Sequence, residues 1–189
     1  MSRRIILSMH TSLDGFVAGP NGEMDWIKVD NELFDHVGQL TDEADTALYG
    51  RVTYQMMEGY WPNAADQPNA SKHDIEHSRW YKEAGKIVLS RTLQKQADKL
   101  ILISDDIAEK INSIKQQSGK NILIFGSPTA VHALIKENLI DEYWLFVNPV
   151  ILGAGIPLFT NLEQKIKLKR LSTKELSSGV TALNYVVDK

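Results

Sequence analysis

The order in which short apolar runs and longer amphipathic segments follow one another constrains the fold of this chain most. Up to about residue 140, apolar runs of strand length alternate with segments whose apolar residues recur every three or four positions, as in helices. The later part carries strand-like runs with no helix-like segment between them. Alternating strands and helices form parallel sheets with helices on their faces, and consecutive strands pair in antiparallel fashion. The pattern therefore predicts an α/β fold with a mainly parallel central sheet flanked by helices and an antiparallel C-terminal edge.

The same periodicities place the individual elements. Strands are predicted at Ile5–Met9, Thr46–Tyr49, Ile87–Leu89, Leu100–Ile103, Asn121–Phe125, Glu142–Val147 and Val180–Val187. Helices are predicted at Asn31–Glu43, Val52–Glu58, Lys72–Glu83, Asp105–Gln117 and Thr129–Glu137. The alternating segment Lys165–Leu171 belongs to the antiparallel region, and the proline- and asparagine-containing segment Trp61–Ser71 is expected to be an exposed loop. We expect residues 1–189 to form a single domain.

Composition excludes several classes of function. The formal net charge of −3 gives no general attraction to nucleic acid or to an anionic membrane. The absence of cysteine excludes disulfides and thiolate metal sites, and no apolar run approaches the roughly 18 residues of a membrane span. The apolar run Ile5–Leu7 is too short for a signal-peptide core, so a cytoplasmic location is expected. His73 and His77 are four residues apart but lack the glutamate of a zinc-binding helix, and no metal site is expected.

Three predicted strands end in similar motifs, which lie in the segments Tyr49–Arg51, Leu89–Thr92 and Phe125–Thr129. Each places glycine, serine or arginine at a strand end, and the first and third also open a helix. Glycine lets a ligand approach the backbone, free N–H groups at a helix start attract anions, and arginine suits phosphate. Ligands of open α/β sheets bind at the carboxyl ends of the strands, so these motifs favour a phosphorylated dinucleotide. Taken singly, each glycine could be a simple turn, each arginine a solvated side chain, and Ser127 a helix cap.

A second candidate region is the glycine-rich segment Ser12–Gly22 that follows the first strand. Such a loop could cover a flat ligand and exclude water from a hydride transfer, or it could consist of simple turns. Acidic residues follow it, and Asp30 and Glu32 could supply a proton to a bound heterocycle or cap the next helix.

The motifs, taken in order, resemble those of a known family. They comprise Ser12–Gly15 with Asp25-Trp26, Gly50-Arg51 with Thr53-Tyr54, Ser90–Thr92, Gly126-Ser127, Leu139–Glu142 and Pro149–Phe159. The set spans nearly the whole chain and is similar to the reductase domain of riboflavin biosynthesis, the RibD C-terminal domain family. This family resembles dihydrofolate reductase in fold. The sequence departs from the family pattern at Phe125, where an acidic residue is common, and at Ser127, which replaces the second glycine of a pair.

The resemblance implies a site for NADPH. The residues that match cofactor-binding positions of the family are Val17, Ala18, Gly19, Gly50, Arg51, Thr53, Ser90, Arg91, Gly126, Ser127 and Thr129. Within this set, Ser90 and Arg91 match the contact to the 2′-phosphate, which favours NADPH over NADH. Trp26 falls in the region of the substrate pocket, and the candidate proton donors are Asp14, Asp30 and Glu32.

The function expected from the resemblance is the NADPH-dependent reduction of a small pyrimidine- or pteridine-like substrate, similar to 5-amino-6-(5-phosphoribosylamino)uracil reductase. Hydride would pass to a C=N or C=O carbon while the protein orients the reactants in a dry pocket. A module that binds the cofactor without catalysis is the alternative, because a fold does not prove chemistry. A structural protein that binds no nucleotide is a third possibility. The resemblance also implies a homodimer.

Overall fold

The computed structural model describes residues 2–94 and 99–188. The helices are α1 (Asn31–Asp42), α2 (Arg51–Ala64), α3 (Lys72–Glu83), α4 (Ile107–Gln116) and α5 (Pro128–Lys136). The strands are β1 (Ile5–Thr11), β2 (Phe16–Ala18), β3 (Ala44–Gly50), β4 (Gly85–Leu89), β5 (Leu100–Ile103), β6 (Asn121–Phe125), β7 (Glu142–Val147), β8 (Ile156–Pro157), β9 (Leu168–Glu175) and β10 (Thr181–Val187).

Eight strands form one central sheet in the order β5-β4-β3-β6-β1-β7-β10-β9. The six strands from β5 to β7 in this order pair in parallel, and β10 and β9 pair antiparallel at one edge. The predicted fold class is therefore confirmed. A separate two-stranded sheet joins β2 to β8, which brings the segment after β1 against the segment after β7.

Helices cover both faces of the sheet, and the strands are apolar on both sides for that reason. Alternate residues of a strand face opposite sides. On one face, Leu7 of β1 packs with Ile111 of α4 and Leu134 of α5. On the other face, Ile6 of β1 packs with Leu40 of α1, and Tyr54 of α2 packs with Tyr81 of α3 over β3 and β4.

The segment predicted as a loop at Trp61–Ser71 is partly helical, and that part of the prediction is wrong. Helix α2 continues to Ala64 through Pro62. Packing explains the continuation, because the Trp61 ring lies 4.0 Å from the ring of His77 on α3. The ring N–H of Trp61 also donates to Met57 Sδ one turn earlier, at 3.1 Å.

The edge strand near the C-terminus lies a few residues later than the alternating segment Lys165–Leu171 indicated. Strand β9 begins at Leu168 and ends at Glu175, and all eight residues are exposed. An edge strand with little burial carries a weak hydrophobic pattern, so its bounds depend on its pairing with β10. In the part of the chain that the structure describes, no helix is long and apolar enough to cross a membrane.

Candidate cofactor and substrate site

The three strand-end motifs lie next to one another at the carboxyl edge of the sheet. Strand β3 is flanked by β4 on one side and β6 on the other, with Gly50 in register with Leu89 and Leu48 with Ile124. Neighbouring strands are about 4.8 Å apart, so Arg51, the segment that begins at Ser90, and the turn at Gly126 leave adjacent positions of one edge. The fold thus brings together three segments that are far apart in sequence.

Direct contacts join two of these motifs. The backbone N–H of Gly50 donates to Ser127 Oγ at 2.6 Å. A methyl group at residue 50 would stand 3.1 Å from that oxygen, and one at residue 126 would stand 3.7 Å from Thr53 Cγ2. Gly126 and Ser127 both have left-handed backbones, with φ of 64° and 66°. The small residues at this corner therefore permit a close approach of the two helix starts, which a larger side chain at residue 50 would obstruct.

Both helices that start at this corner lack a side-chain cap. Gly50 precedes α2 and has no side chain to offer, and Ser127 precedes α5 without accepting a bond from that helix. The cap predicted for Ser127 is therefore not formed, because its hydroxyl accepts from Gly50 instead. Free N–H groups at two neighbouring helix starts make this corner suitable for anionic groups. Thr129 lies exposed in the first turn of α5.

The two arginines extend from this edge into solvent. Arg51 donates to Gln55 Oε1 at 3.0 Å, and neither Arg51 nor Arg91 forms a salt bridge within residues 2–94 and 99–188. The pKa of Asp105, after β5, is lowered mainly by its bond from Lys110 and to a lesser degree by the charge of Arg91. Arg91 therefore lies on the β4–β5 side of the edge, and both guanidinium groups are available to phosphate.

Ser90 shapes the turn that carries Arg91. Its N–H donates to the carbonyl of Ile103 at 2.9 Å. Its hydroxyl accepts from the N–H groups of Thr92 and Leu93 at 3.1 and 3.0 Å. The Ser90 hydroxyl thus stabilises the turn after β4, and the positive charge at this strand end comes from Arg91.

The glycine-rich segment after β1 is a folded loop bonded to itself and to the segment after β7. Val17 and Ala18 lie on β2, which pairs with β8. The N–H of Gly19 donates to the carbonyl of Glu23 at 2.9 Å, and a methyl group on Gly19 would overlap the Glu23 carboxylate. The half-buried Trp26 donates its ring N–H to the same carbonyl at 3.1 Å. The predicted loop residues and Trp26 therefore belong to one compact segment.

The carboxylate of Asp14 joins two loops. It accepts from the N–H groups of Leu152 and Gly153 at 3.1 and 2.8 Å. Hydrogen bonds, first from Ser12 and then from these two N–H groups, lower its pKa. An ionised carboxylate that accepts N–H bonds has no proton to give at neutral pH, so the geometry favours a structural role for Asp14.

Asp30 and Glu32 join the start of α1 to the turn between β9 and β10. Asp30 Oδ1 accepts from the N–H of Leu33 at 2.8 Å, and its Oδ2 accepts from the N–H of Ser178 at 3.0 Å. Partial burial raises the pKa of Asp30, but the bonds from Ser178 and Leu33 outweigh it and lower the pKa overall. Glu32 accepts from the N–H of Ser177 at 2.9 Å. Both carboxylates therefore support the fold, and proton donation by either stays a prediction.

Sequence reasoning missed a polar cluster at the carboxyl ends of β1 and β7. Asn148 is fully buried, and its Oδ1 accepts from the N–H of Lys28 at 2.8 Å. Its Nδ2 donates to the carbonyl of Phe146 at 3.0 Å and lies 3.2 Å from His10 Nδ1. Burial lowers the pKa of His10 to about 4, which leaves the ring neutral at physiological pH. The available signal was a histidine, His10, near the end of a predicted buried strand, to which the sequence analysis assigned no role. Among the described residues, no group of three His, Asp or Glu side chains could hold a metal ion.

Comparison with known proteins gives a consistent result. The model of the family described as "RibD C-terminal domain" matches residues 3–182. The uncharacterized protein YyaP of Bacillus subtilis strain 168 is 37% identical over 97% of this chain and 94% of its own. A putative riboflavin biosynthesis protein from Shewanella sp. PV-4 has a similar structure, with a TM-score of 0.77 and 23% identity over all of both chains. Dihydrofolate reductase from Enterococcus faecalis, solved with NADP(H), has a TM-score of 0.64 and 12% identity over all of both chains, which shows a shared fold.

Proposed function

The chain belongs to the RibD C-terminal domain family, and from this premise we propose that it is an NADPH-dependent reductase of a small pyrimidine- or pteridine-like substrate. One observation carries the proposal. The strand ends that precede Arg51 and Arg91 and the Gly126 turn are adjacent in the sheet, and two uncapped helix starts meet among them. A dinucleotide that carries an additional phosphate needs such a set of backbone donors and cations at one sheet edge.

The donors of this edge differ in what they would bind. The helix starts at Gly50 and Ser127, with Arg51 beside the first, would receive the cofactor's pyrophosphate. Arg91, one strand farther out, would pair with the 2′-phosphate, because guanidinium binds phosphate through two parallel bonds. The backbone of the corner supports the fit, since a side chain at residue 50 would stand 3.1 Å from Ser127 Oγ and the φ of 64° at residue 126 favours glycine.

NADPH bound there would supply the hydride, and the protein would orient the reactants and exclude water. The glycine-rich segment Ser12–Gly22 is placed to exclude water, because β2 within it pairs with β8 beside the end of β1. Asp14, Asp30 and Glu32 all accept N–H groups within the protein. A proton needed by the product would therefore come from water unless one of these carboxylates exchanges its partners.

The 2′-phosphate assignment is tested by the cofactor preference of Arg91→Ala. Loss of a charge-assisted hydrogen bond costs about 1.5–3 kcal/mol, so we expect NADPH binding to weaken about 10- to 100-fold. NADH binding should change less than about twofold, because NADH lacks the phosphate. Isothermal titration at fixed salt measures both dissociation constants.

Arg79→Ala on α3, also an exposed arginine, is the matched control and should leave both constants unchanged. Equal weakening of NADPH and NADH by Arg91→Ala would contradict the assignment.

A cofactor-binding module without catalysis is the second candidate function. It is favoured by the engagement of all three candidate carboxylates in structural bonds. The two functions differ in NADPH oxidation across a panel of pterins, pyrimidines that include 5-amino-6-(5-phosphoribosylamino)uracil, and simple carbonyl compounds. Oxidation that depends on one of these compounds supports the reductase. Tight NADPH binding with no turnover on any compound supports the module.

We also propose that the protein acts as a homodimer in the cytoplasm. The family resemblance implies that the segment Pro149–Phe159 helps to form the dimer, and this segment carries exposed apolar side chains.

A further inference from the structure

Two polar side chains lie side by side on β1, between aromatic residues, near the proposed cofactor corner. Ser8 and His10 are two residues apart and so face the same side of the sheet. Ser8 is in register with Phe125 of β6, and His10 with Phe146 of β7. Among the described residues, neither Ser8 Oγ nor His10 Nε2 has a hydrogen-bond partner. Strand β1 is the immediate neighbour of β6, whose following turn contains Gly126 and Ser127.

The buried amide of Asn148 determines which nitrogen of His10 carries the proton. The amide orientation follows from two backbone contacts, since Oδ1 accepts from Lys28 N–H and Nδ2 donates to the Phe146 carbonyl. Nδ2 has two hydrogens, and after the Phe146 carbonyl its nearest partner is His10 Nδ1 at 3.2 Å, whereas the Thr11 carbonyl is farther away at 3.4 Å. We therefore assign the second hydrogen to His10 Nδ1. A neutral imidazole whose Nδ1 accepts a bond carries its hydrogen on Nε2. His10 therefore offers a fixed N–H donor from Nε2.

Packing fixes the position of the His10 ring, in addition to the hydrogen bond that fixes its tautomer. It packs against Phe146 with ring centroids 5.3 Å apart, and Phe146 is itself buried under α1. A donor fixed in this way loses little conformational freedom when it binds an acceptor. It also discriminates strongly, because a ligand that lacks the acceptor leaves the donor unpaired.

We propose that His10 is a substrate-specificity residue whose Nε2–H donates to a ring carbonyl oxygen of a planar heterocycle. The inference rests on the proposed function and deepens it, because it selects cyclic amides and imides from the wider class of pyrimidine- and pteridine-like rings. Ser8 offers a second polar group beside the same donor, and Phe125 borders the position on the side of β6.

Two bicyclic probes and two substitutions test this role. Quinazoline-2,4-dione carries ring carbonyls, and quinazoline lacks them. His10→Gln places an amide N–H near the former position of Nε2, whereas His10→Asn retains only the group near Nδ1. We expect the wild-type protein and His10→Gln to bind the dione about tenfold more tightly than quinazoline, the effect of one hydrogen bond. His10→Asn should reduce this preference to less than about twofold.

The measurements separate this inference from the cofactor proposal. Binding of both probes is titrated by calorimetry, with and without saturating NADP⁺, and NADPH dissociation constants are measured for all variants. His10→Asn should leave NADPH binding unchanged. Retention of the full dione preference by His10→Asn, or no preference in the wild-type protein, overturns the role of His10. Failure of the wild-type protein to bind NADPH would instead overturn the proposed function, and the probe preference without cofactor would still decide the role of His10.

A measurement on the unmodified protein tests the tautomer directly. Long-range ¹⁵N–¹H correlation spectra distinguish a protonated Nε2 from a protonated Nδ1. We expect the His10 signals of the Nε2–H tautomer at neutral pH. The Nδ1–H tautomer would overturn the proposal without any substitution that could affect folding.

Discussion

At the scale of single residues, the bond from Gly50 N–H to Ser127 Oγ ties two helix starts together across 77 positions of sequence. Ser127→Ala removes the acceptor and leaves a buried N–H unpaired. An unpaired buried donor costs about 1–3 kcal/mol, so we expect a loss of unfolding free energy of that size, together with weaker NADPH binding. Urea unfolding measures the first effect. Ser113→Ala, at an exposed position on α4, is the control and should be nearly neutral. A stability equal to that of the wild-type protein would show that this bond contributes little.

A second residue-scale prediction concerns His77, which packs among Trp61, Trp80 and Phe125. Burial lowers its pKa from 6.5 to about 3. The unfolded chain therefore binds a proton on His77 at a higher pH than the folded protein does. The stability contributed by the neutral ring is complete above the unfolded pKa and is lost as the pH falls from about 6.5 toward 3.

His77→Phe should therefore remove about 3 kcal/mol of the pH-dependent loss of unfolding free energy between pH 6.5 and 4. Denaturant unfolding at a series of pH values measures the slope, and Arg79→Lys on the same helix should retain the wild-type slope. Some dependence must remain in His77→Phe, because burial also lowers the pKa values of His10 and His73. An unchanged slope would mean that His77 is not buried as a neutral ring.

The residues that sequence reasoning could identify are those whose role follows from their neighbours in sequence. Gly50 and Gly126 were predicted from strand-to-helix transitions, and the structure places them at one corner. The partners of Asp14 and Ser127 could not be predicted, because they lie 139 and 77 positions away. Asn148 was missed for the same reason, since a single buried amide leaves no pattern in the sequence.

At the scale of secondary-structure elements, Asp30 connects the start of α1 with the turn between β9 and β10. Asp30→Ala removes the helix cap and the bond from Ser178, so we expect a loss of about 1–2 kcal/mol. Asparagine also caps helices, and Asp30→Asn should therefore retain most of the stability. The two substitutions also test the predicted catalytic role of Asp30. Asparagine has no carboxyl proton, so Asp30→Asn should lose turnover only if Asp30 is the proton donor. Thermal unfolding and NADPH oxidation by the two variants decide between these roles, and Asp35→Ala, exposed on the same helix, is the control.

The element boundaries show where tertiary packing overrides local signals. Pro62 and the polar residues after it favoured a loop, but Trp61 packs on His77 and α2 continues to Ala64. The two short strands β2 and β8 were not predicted, since three and two residues are too few to show a period. These strands form because the loops after β1 and β7 face each other across the carboxyl edge of the sheet.

At the scale of the whole molecule, the pattern predicted a mainly parallel sheet with an antiparallel edge but not the strand order. Strand β6 lies between β3 and β1 in the sheet, although three helices and two strands separate β3 from β6 in the chain. Periodicity shows which residues are buried and says nothing about which strands are neighbours. The adjacency of β4, β3 and β6, on which the cofactor site depends, was accessible only through resemblance to a family of known fold.

The proposed homodimer is also a property of the whole molecule. Ile151 is 70% exposed and Phe159 is 43% exposed, and exposed apolar side chains grouped in one segment are a feature of interaction surfaces. We expect sedimentation at twice the 21.3 kDa mass of the chain.

Ile151→Lys should shift the equilibrium to the monomer, because a buried unpaired charge is costly. Val52→Lys on α2 changes a side chain of equal exposure, 69%, outside that segment and should leave the dimer intact. A wild-type monomer at all concentrations would contradict the homodimer, and dissociation by Val52→Lys alone would move the interface to α2.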